Sequence, residues 1–163
     1  LSKRDADVAI RPSLTPPDTL VGRRICAIAT AIYGSAAYLE NAPPPDDLET
    51  HAWIAPDDSL VELPSARWLQ TALKQGQPAF RTNTLLGMLV AAQAGLGLAA
   101  LPCFLGDAAA RLQRVCPPLD ELTTELWLLT HRDLRQVARI RAFLDFVDHE
   151  LRRMSAVFEG RRL

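Results

Sequence analysis

Four consecutive residues, Arg81-Thr82-Asn83-Thr84, stand where an extended run gives way to an apolar helical pattern. A helix N-terminus leaves its first N–H groups unpaired and carries the positive end of the helix dipole. Two hydroxyls, an amide and a guanidinium beside those donors make a natural seat for a carboxylate. An ordinary capped turn with a surface arginine would use the same residues, so the local sequence leaves both readings open. Asn83 is the expected N-cap, because its side-chain oxygen can accept from the first free N–H groups. Leu85, Leu86, Met88, Leu89 and Ala92 fall at helical spacing, which predicts a helix from Thr84 to about Ala94. Gly95 and Gly97 end it, since glycine takes the left-handed conformation without a Cβ penalty. Leu98 to Leu101 then reads as a buried strand stopped by Pro102.

Gly95-Leu96-Gly97-Leu98-Ala99-Ala100 also fits the dinucleotide pattern G-x-G-x-x-A. That pattern carries chemistry only after a strand and at the opening of a helix, where N–H groups meet a pyrophosphate. Here it follows a helix and opens a strand, so a helix C-cap is the better reading.

The remaining reactive side chains are scattered. The three histidines, His51, His131 and His149, lie in different segments, and none has metal spacing with another or with a cysteine. There is no G-x-S-x-G elbow and no P-loop. Cys103, after Pro102, reads as a buried structural thiol rather than a nucleophile. His131 closes a strand and could line a ligand cleft, or cap the helix that follows. No enzyme, no metal and no cofactor is expected.

Composition narrows the class. The 163 residues suffice for one ordinary domain or two small lobes, and 48% hydrophobic content calls for a packed core. A net charge of −1 argues against a nucleic-acid surface within this stretch. Three cysteines without a CxxC pair look like reduced cytosolic thiols. No secretory signal and no apolar run of bilayer length is present, so no membrane partner is expected.

The elements that must hold the 81–84 turn follow in order. Asp7 to Arg11 is a compact strand stopped by Pro12, and Ile25 to Ile32 is a long β-favouring run. Tyr33 to Glu40 reads as a short helix, Pro43 to Asp47 as a stiff connection, and Trp53-Ile54 as a short strand. Pro64 opens a helix to about Lys74, closed by Gly76, with Trp68, Leu69 and Leu73 facing inward. Phe80 to Thr82 ends an extended run before the turn. Phe104 to about Leu112 reads as a further amphipathic turn or two, and Glu125 to Thr130 as a buried strand. In the last helix Val137, Ile140, Leu144, Val147, Leu151 and Met154 form an apolar seam, widened by Phe143 and Phe146. Strands alternating with helices predict an α/β fold with mostly parallel sheets.

Several stretches together carry a family resemblance: DVAIR-PSLTPPDTLVGRRI, AIYGSAAYLE, FRTNTLLGMLVAAQAGLGLAALPCFLGD and LWLLTHRDLRQVARIRAFLDFV. In this order they resemble the effector-binding domain of LysR-type transcriptional regulators over nearly the whole chain. The resemblance implies a two-lobed fold like the type 2 periplasmic binding proteins, with two crossover strands and a small-molecule cleft between the lobes. It maps residues 1–24 and 125–163 to a first lobe and 25–124, including the first crossover, to a second. The family's helix-turn-helix, linker helix and the first strand and helix of the effector domain have no counterpart here. The first lobe is therefore expected to be incomplete, and DNA contact to need a domain outside this chain.

The expected function is that of a cytoplasmic ligand-sensing domain for a small organic effector, an anion by the chemistry above. A solute-binding protein of the same fold, serving transport, is the alternative. Arg11, Phe80, Arg81, Thr82, Asn83, Thr84, Thr130 and His131 are the expected effector-binding residues. The family also implies homo-oligomers, for which the Pro64 to Lys74 helix offers one candidate surface.

Overall fold

In the computed structural model, which describes residues 6–44, 47–73 and 78–161, three strands follow one another. They are β1 (Val8–Ser13), β2 (Leu20–Ile28) and β3 (Thr30–Ser35). Between β2 and β3 the chain passes from one sheet to another. That passage lies at the border of two compact units: Leu1–Ile28 with Thr124–Leu163, and Ala29–Thr123. The second unit is thus an insertion into the first.

The first unit is a sheet of order β1-β8-β2, where β8 is Thr124–His131. Both pairings are antiparallel, with Val8 opposite Thr130 and Leu20 opposite His131. Leu126, Leu128 and Leu129 of β8 are buried, as suits a central strand covered on both faces. The β2–β8 register shifts between Arg24 and Cys26. Such an irregularity takes backbone groups out of the ladder. Arg152 answers it, donating through Nη2 to the Arg24 carbonyl at 2.9 Å and through Nη1 to that of Ile25 at 3.1 Å.

Arg152 belongs to α5 (Ala138–Arg153), which is followed by the short α6 (Ser155–Phe158). Ile140 and Leu144 of the predicted seam are buried. Phe143, Phe146 and Met154 are not part of it: they are 50%, 65% and 50% exposed. One helix lying on a sheet buries a narrow stripe, and side chains a third of a turn off that stripe point outward.

The second unit contains β3, α1 (Ala36–Leu39), β4 (Trp53–Pro56), α2 (Pro64–Ala72) and β5 (Phe80–Thr82). It continues through α3 (Leu85–Gln93), β6 (Leu98–Pro102), α4 (Cys103–Gly106) and β7 (Leu112–Arg114). The sheet order is β5-β4-β6-β3-β7. β4 is parallel to both β5 and β6, and β3 is antiparallel to β6 and β7. Parallel pairing is thus confined to β4 and its two neighbours. Met88, Ala91 and Ala92 of α3 pack with Tyr33, Ile54 and Leu101 of the sheet. Leu69 of α2 packs with Ile32, Trp53 and Leu98, and Trp68 lies edge-on to Trp53 with ring centroids 5.6 Å apart.

Several boundaries differ from the sequence reading; the first strand, expected to stop at Pro12, runs through it to Ser13, with Pro12 opposite Leu126 at the sheet edge. Tyr33, Gly34 and Ser35 belong to β3, and the helix expected from Tyr33 starts only after Ser35, whose hydroxyl accepts from Tyr38 N–H at 3.3 Å. The segment expected as an amphipathic turn from Phe104 to Leu112 is α4 and then an edge strand, with Arg114 opposite Tyr33. Helix α2 is observed to Ala72; Lys74 and Gly76 lie outside the described residues.

Gly95 has φ 81° and ends α3 as expected. Leu96 N–H donates to the Ala91 carbonyl at 3.1 Å and Gly95 N–H to that of Ala92 at 3.0 Å, the paired closure of a Schellman cap. At Gly97 a Cβ would stand 2.3 Å from the Ala52 carbonyl oxygen. Both glycines therefore serve a helix end and a close strand approach, which accounts for the dinucleotide-like spacing.

Candidate functional site

The 81–84 turn is built by two parallel strands that end side by side. Ile54 lies opposite Phe80, Ala55 opposite Arg81 and Pro56 opposite Thr82. Asp57 N–H donates to the Thr82 carbonyl at 2.9 Å, which ties the two strand ends together. Ligands of open α/β sheets gather beyond such carboxyl ends. The apolar 85–92 pattern then begins α3 directly after the turn.

The N-cap of α3 is Thr84, not Asn83: Thr84 Oγ1 accepts from Gly87 N–H at 2.9 Å. Both residue types cap well, and only the extended φ/ψ of Thr84 decides between neighbours. The shift matters for chemistry. It occupies one Thr84 lone pair and leaves the hydroxyl hydrogen to donate. The Thr82 hydroxyl and the Asn83 amide have no hydrogen-bond partner among the described residues.

Gly87, which sequence reasoning passed over, shapes the turn. A Cβ there would fall 2.3 Å from Thr82 Oγ1 and 2.9 Å from Thr84 Oγ1. The two hydroxyls converge because the helix shows bare backbone at that point. The only signal in the sequence was a glycine inside a helix, where alanine would be more stable.

Carboxylates also stand near. Asp57 and Asp58 follow Pro56, and Arg81 Nη1 lies 4.0 Å from Asp58 Oδ1. Asp57 Oδ1 accepts from the N–H of Ser59 at 2.9 Å and from its hydroxyl at 2.6 Å. Arg81 is thus loosely paired, and an exposed pair of this length contributes little. The turn offers hydroxyl and N–H donors more than net positive charge.

The first unit holds the other three expected residues: Thr130 and His131 are consecutive at the end of β8, and Arg11 lies on β1. Arg11 lies opposite Trp127, while Thr130 lies opposite Val8. Arg11 is exposed and has no ion pair among the described residues. The Thr130 hydroxyl donates to the Asp7 carbonyl at 2.7 Å, so its hydrogen is not available to a ligand. His131 ends β8 with a buried Nε2 that lacks a partner, as does the buried Nε1 of Trp127. Trp127 carried no chemical signal in the sequence beyond its place in an apolar run.

Two polar networks brace the second unit. Tyr33 donates to Asp107 Oδ1 at 2.9 Å, and Arg114 Nε donates to Tyr33 Oη at 3.1 Å and to Asp107 Oδ1 at 2.8 Å. Burial, and then a hydrogen bond with Cys103, push the Tyr33 phenol well above the usual tyrosine range. The Cys103 thiol is fully buried, as a structural thiol should be. In the other network Tyr38 Oη lies 3.1 Å from His51 Nδ1 and accepts from Ala52 N–H at 2.9 Å. No group of metal-ligating side chains is found among the described residues, and no helix there is long and apolar enough to cross a membrane.

Comparison with known proteins agrees with this architecture. The family model of the LysR substrate binding domain matches residues 1–152. A probable HTH-type transcriptional regulator LtrA of Klebsiella pneumoniae is 30% identical over 165 residues, covering 92% of this chain and 52% of that protein. The chain thus spans about half the length of that curated relative. The regulatory domain of CrgA, a LysR-type regulator from Neisseria meningitidis, superposes with a TM-score of 0.73 at 22% identity, over 93% of this chain and 78% of that one. The effector domain of AmpR from Pseudomonas aeruginosa gives 0.65 at 20% identity, over 93% and 76%. The regulatory domain of AphB from Vibrio vulnificus gives 0.67 at 19%, over 90% and 77%.

Proposed function

The chain belongs to the LysR substrate binding domain family, and from that premise we propose that it senses a small organic acid for a cytoplasmic transcription regulator. DNA contact would come from a helix-turn-helix part of the whole protein. The relatives are regulators, so transport of a solute is not the favoured use of this fold.

One observation carries the ligand reading: the unpartnered Thr82 hydroxyl stands at paired strand ends, beside the open N-terminus of α3. The Thr82 and Asn83 side chains and the first N–H groups of α3 would hold a carboxylate, and Phe80, 40% exposed, would line its apolar part. Arg81 is a weaker contributor because Asp58 already faces it. In the first unit, Arg11 is exposed and has no ion pair among the described residues, which leaves its guanidinium available to an anion. A hydrogen bond to a charged group contributes about 1.5–3 kcal/mol. Calorimetric titration with a panel of aromatic and aliphatic carboxylic acids tests the assignment. Thr82→Val should weaken the tightest binder by about tenfold or more. Unchanged affinity would remove the turn from the effector site.

Self-association belongs to the same reading. From Thr82 to Gly106 there is no charged residue, and Leu86, Val90 and Leu96 are 62%, 61% and 46% exposed. A helix that is apolar on its outer face as well as its inner one calls for a partner. The exposed positions Arg67, Gln70 and Thr71 of α2 are polar, which makes α3 the better pairing surface.

A further inference from the structure

We propose that α5 carries a second seam on its outer face, and that this seam pairs with the same seam of a second copy of the chain, running antiparallel to it. The contact lies in the first unit, on a different helix from the α3 surface, and does not depend on that assignment.

Arg139, Phe143, Phe146 and Glu150 are spaced by 4, 3 and 4 residues. At about 3.6 residues per turn they fall on one stripe of the helix, the spacing by which two helices interlock. This stripe is separate from the buried one of Ile140 and Leu144. Phe143 and Phe146 are 50% and 65% exposed, and Arg139 is exposed as well. Two neighbouring aromatic rings in water at the middle of a helix leave apolar area for a partner to cover.

The charges at the two ends of the stripe select the partner. Arg139 has no ion pair among the described residues. Glu150 meets Arg153 at 3.3 Å and His149 at 3.9 Å, exposed pairs that contribute little. Within one helix Arg139 and Glu150 stand about 16 Å apart along the axis, too far to meet. A second α5 laid antiparallel, with Phe143 against Phe146 of the second copy, brings each Arg139 to the Glu150 opposite. The stripe is thus complementary to itself about a two-fold axis. A parallel pair would instead set Arg139 against Arg139 and Glu150 against Glu150. One helix face on another is smaller than the area of about 1,200 Å² at which stable complexes begin, so the pairing is weak and needs concentrated protein.

The full chain is its own probe, and the ring resonances of Phe143 and Phe146 are the readout. Both should shift as the protein is concentrated from tens of micromolar to about 1 mM. Val90→Glu should leave that shift unchanged, which separates this contact from the α3 surface. Arg139→Glu and Glu150→Arg should each raise the concentration needed by about tenfold, because like charges then face each other. Each reversal suits the helix dipole, placing an acid in the first turn or a base in the last, so weaker pairing would not reflect a weaker helix. The double reversal Arg139→Glu with Glu150→Arg should restore the wild-type dependence. Three results would overturn the proposal: ring resonances that stay fixed up to about 1 mM protein, unchanged pairing in both single reversals, or a double reversal that pairs no better than either single one.

Discussion

Gly87 and Thr82 are interlocked: a methyl group on Gly87 would stand 2.3 Å from the Thr82 hydroxyl oxygen. Glycine inside a helix costs about 1 kcal/mol relative to alanine, so Gly87→Ala would stabilise α3 if the space were free. Thr82 is β-branched and stiff at χ1, and cannot swing aside cheaply. Gly87→Ala is therefore expected to displace Thr82 and weaken acid binding, with no gain in stability. Parallel urea unfolding and calorimetric titration check this. A stabilised variant with full affinity would contradict it.

Tyr38 and His51 fix each other's hydrogen-bonding roles. His51 Nε2 lies 3.1 Å from the Pro44 carbonyl, an acceptor, so that nitrogen carries the hydrogen. In the neutral ring Nδ1 then accepts from Tyr38, whose oxygen also accepts from Ala52 N–H. Tyr38→Phe would leave His51 Nδ1 and the Ala52 N–H without partners. A loss of about 1–3 kcal/mol is expected by urea unfolding.

Tyr33 predicts an alkaline limit. Its folded pKa is raised, first by burial, above the unfolded value of about 10. The neutral phenol is thus favoured in the fold. Its contribution is complete below about pH 10 and falls as pH rises beyond that. Denaturant unfolding of wild type should weaken more steeply above pH 10 than that of Tyr33→Phe. Identical pH profiles would show that Tyr33 is not the group responsible.

Val90 separates association from folding. At 61% exposure on α3, Val90→Glu should move the unfolding free energy by no more than about 0.5 kcal/mol. The same change places a charge in the proposed pairing surface and should leave a monomer. Sedimentation equilibrium at tens of micromolar reads the outcome, and undiminished self-association would move the surface elsewhere.

The strand–helix–strand around α3 was readable because every signal agreed: helical spacing, two glycines at the C-terminus and an uncharged strand. The cap was not, because Asn83 and Thr84 are adjacent and both accept well at an N-cap, and backbone conformation decides between them. Strand β7 escaped notice because Leu112-Gln113-Arg114 is too short to show a period. Phe143 and Phe146 were misplaced because an apolar residue beside a seam carries no mark of which way it faces. At the candidate turn the side chains were legible and Gly87 was not. The role of Gly87 is a matter of distance to residues five and three positions back, and composition does not record distance.

The insertion of the second unit has a kinetic consequence. Every strand pair of the first unit joins residues far apart in sequence, Val8 with Thr130 and Leu20 with His131 among them. The second unit is continuous, and its own entry and exit are tied together: the Ala29 carbonyl accepts from Cys103 N–H at 2.8 Å and the Thr30 carbonyl from Leu119 N–H at 3.0 Å. Distant pairings form slowly because a long loop must close first. Once the inserted unit has condensed, that loop is already closed, and β2 arrives beside β8 without a search. The order of folding is therefore expected to be middle first and both ends last, so that a lesion in the second unit delays the first, while a lesion in the first leaves the second on time.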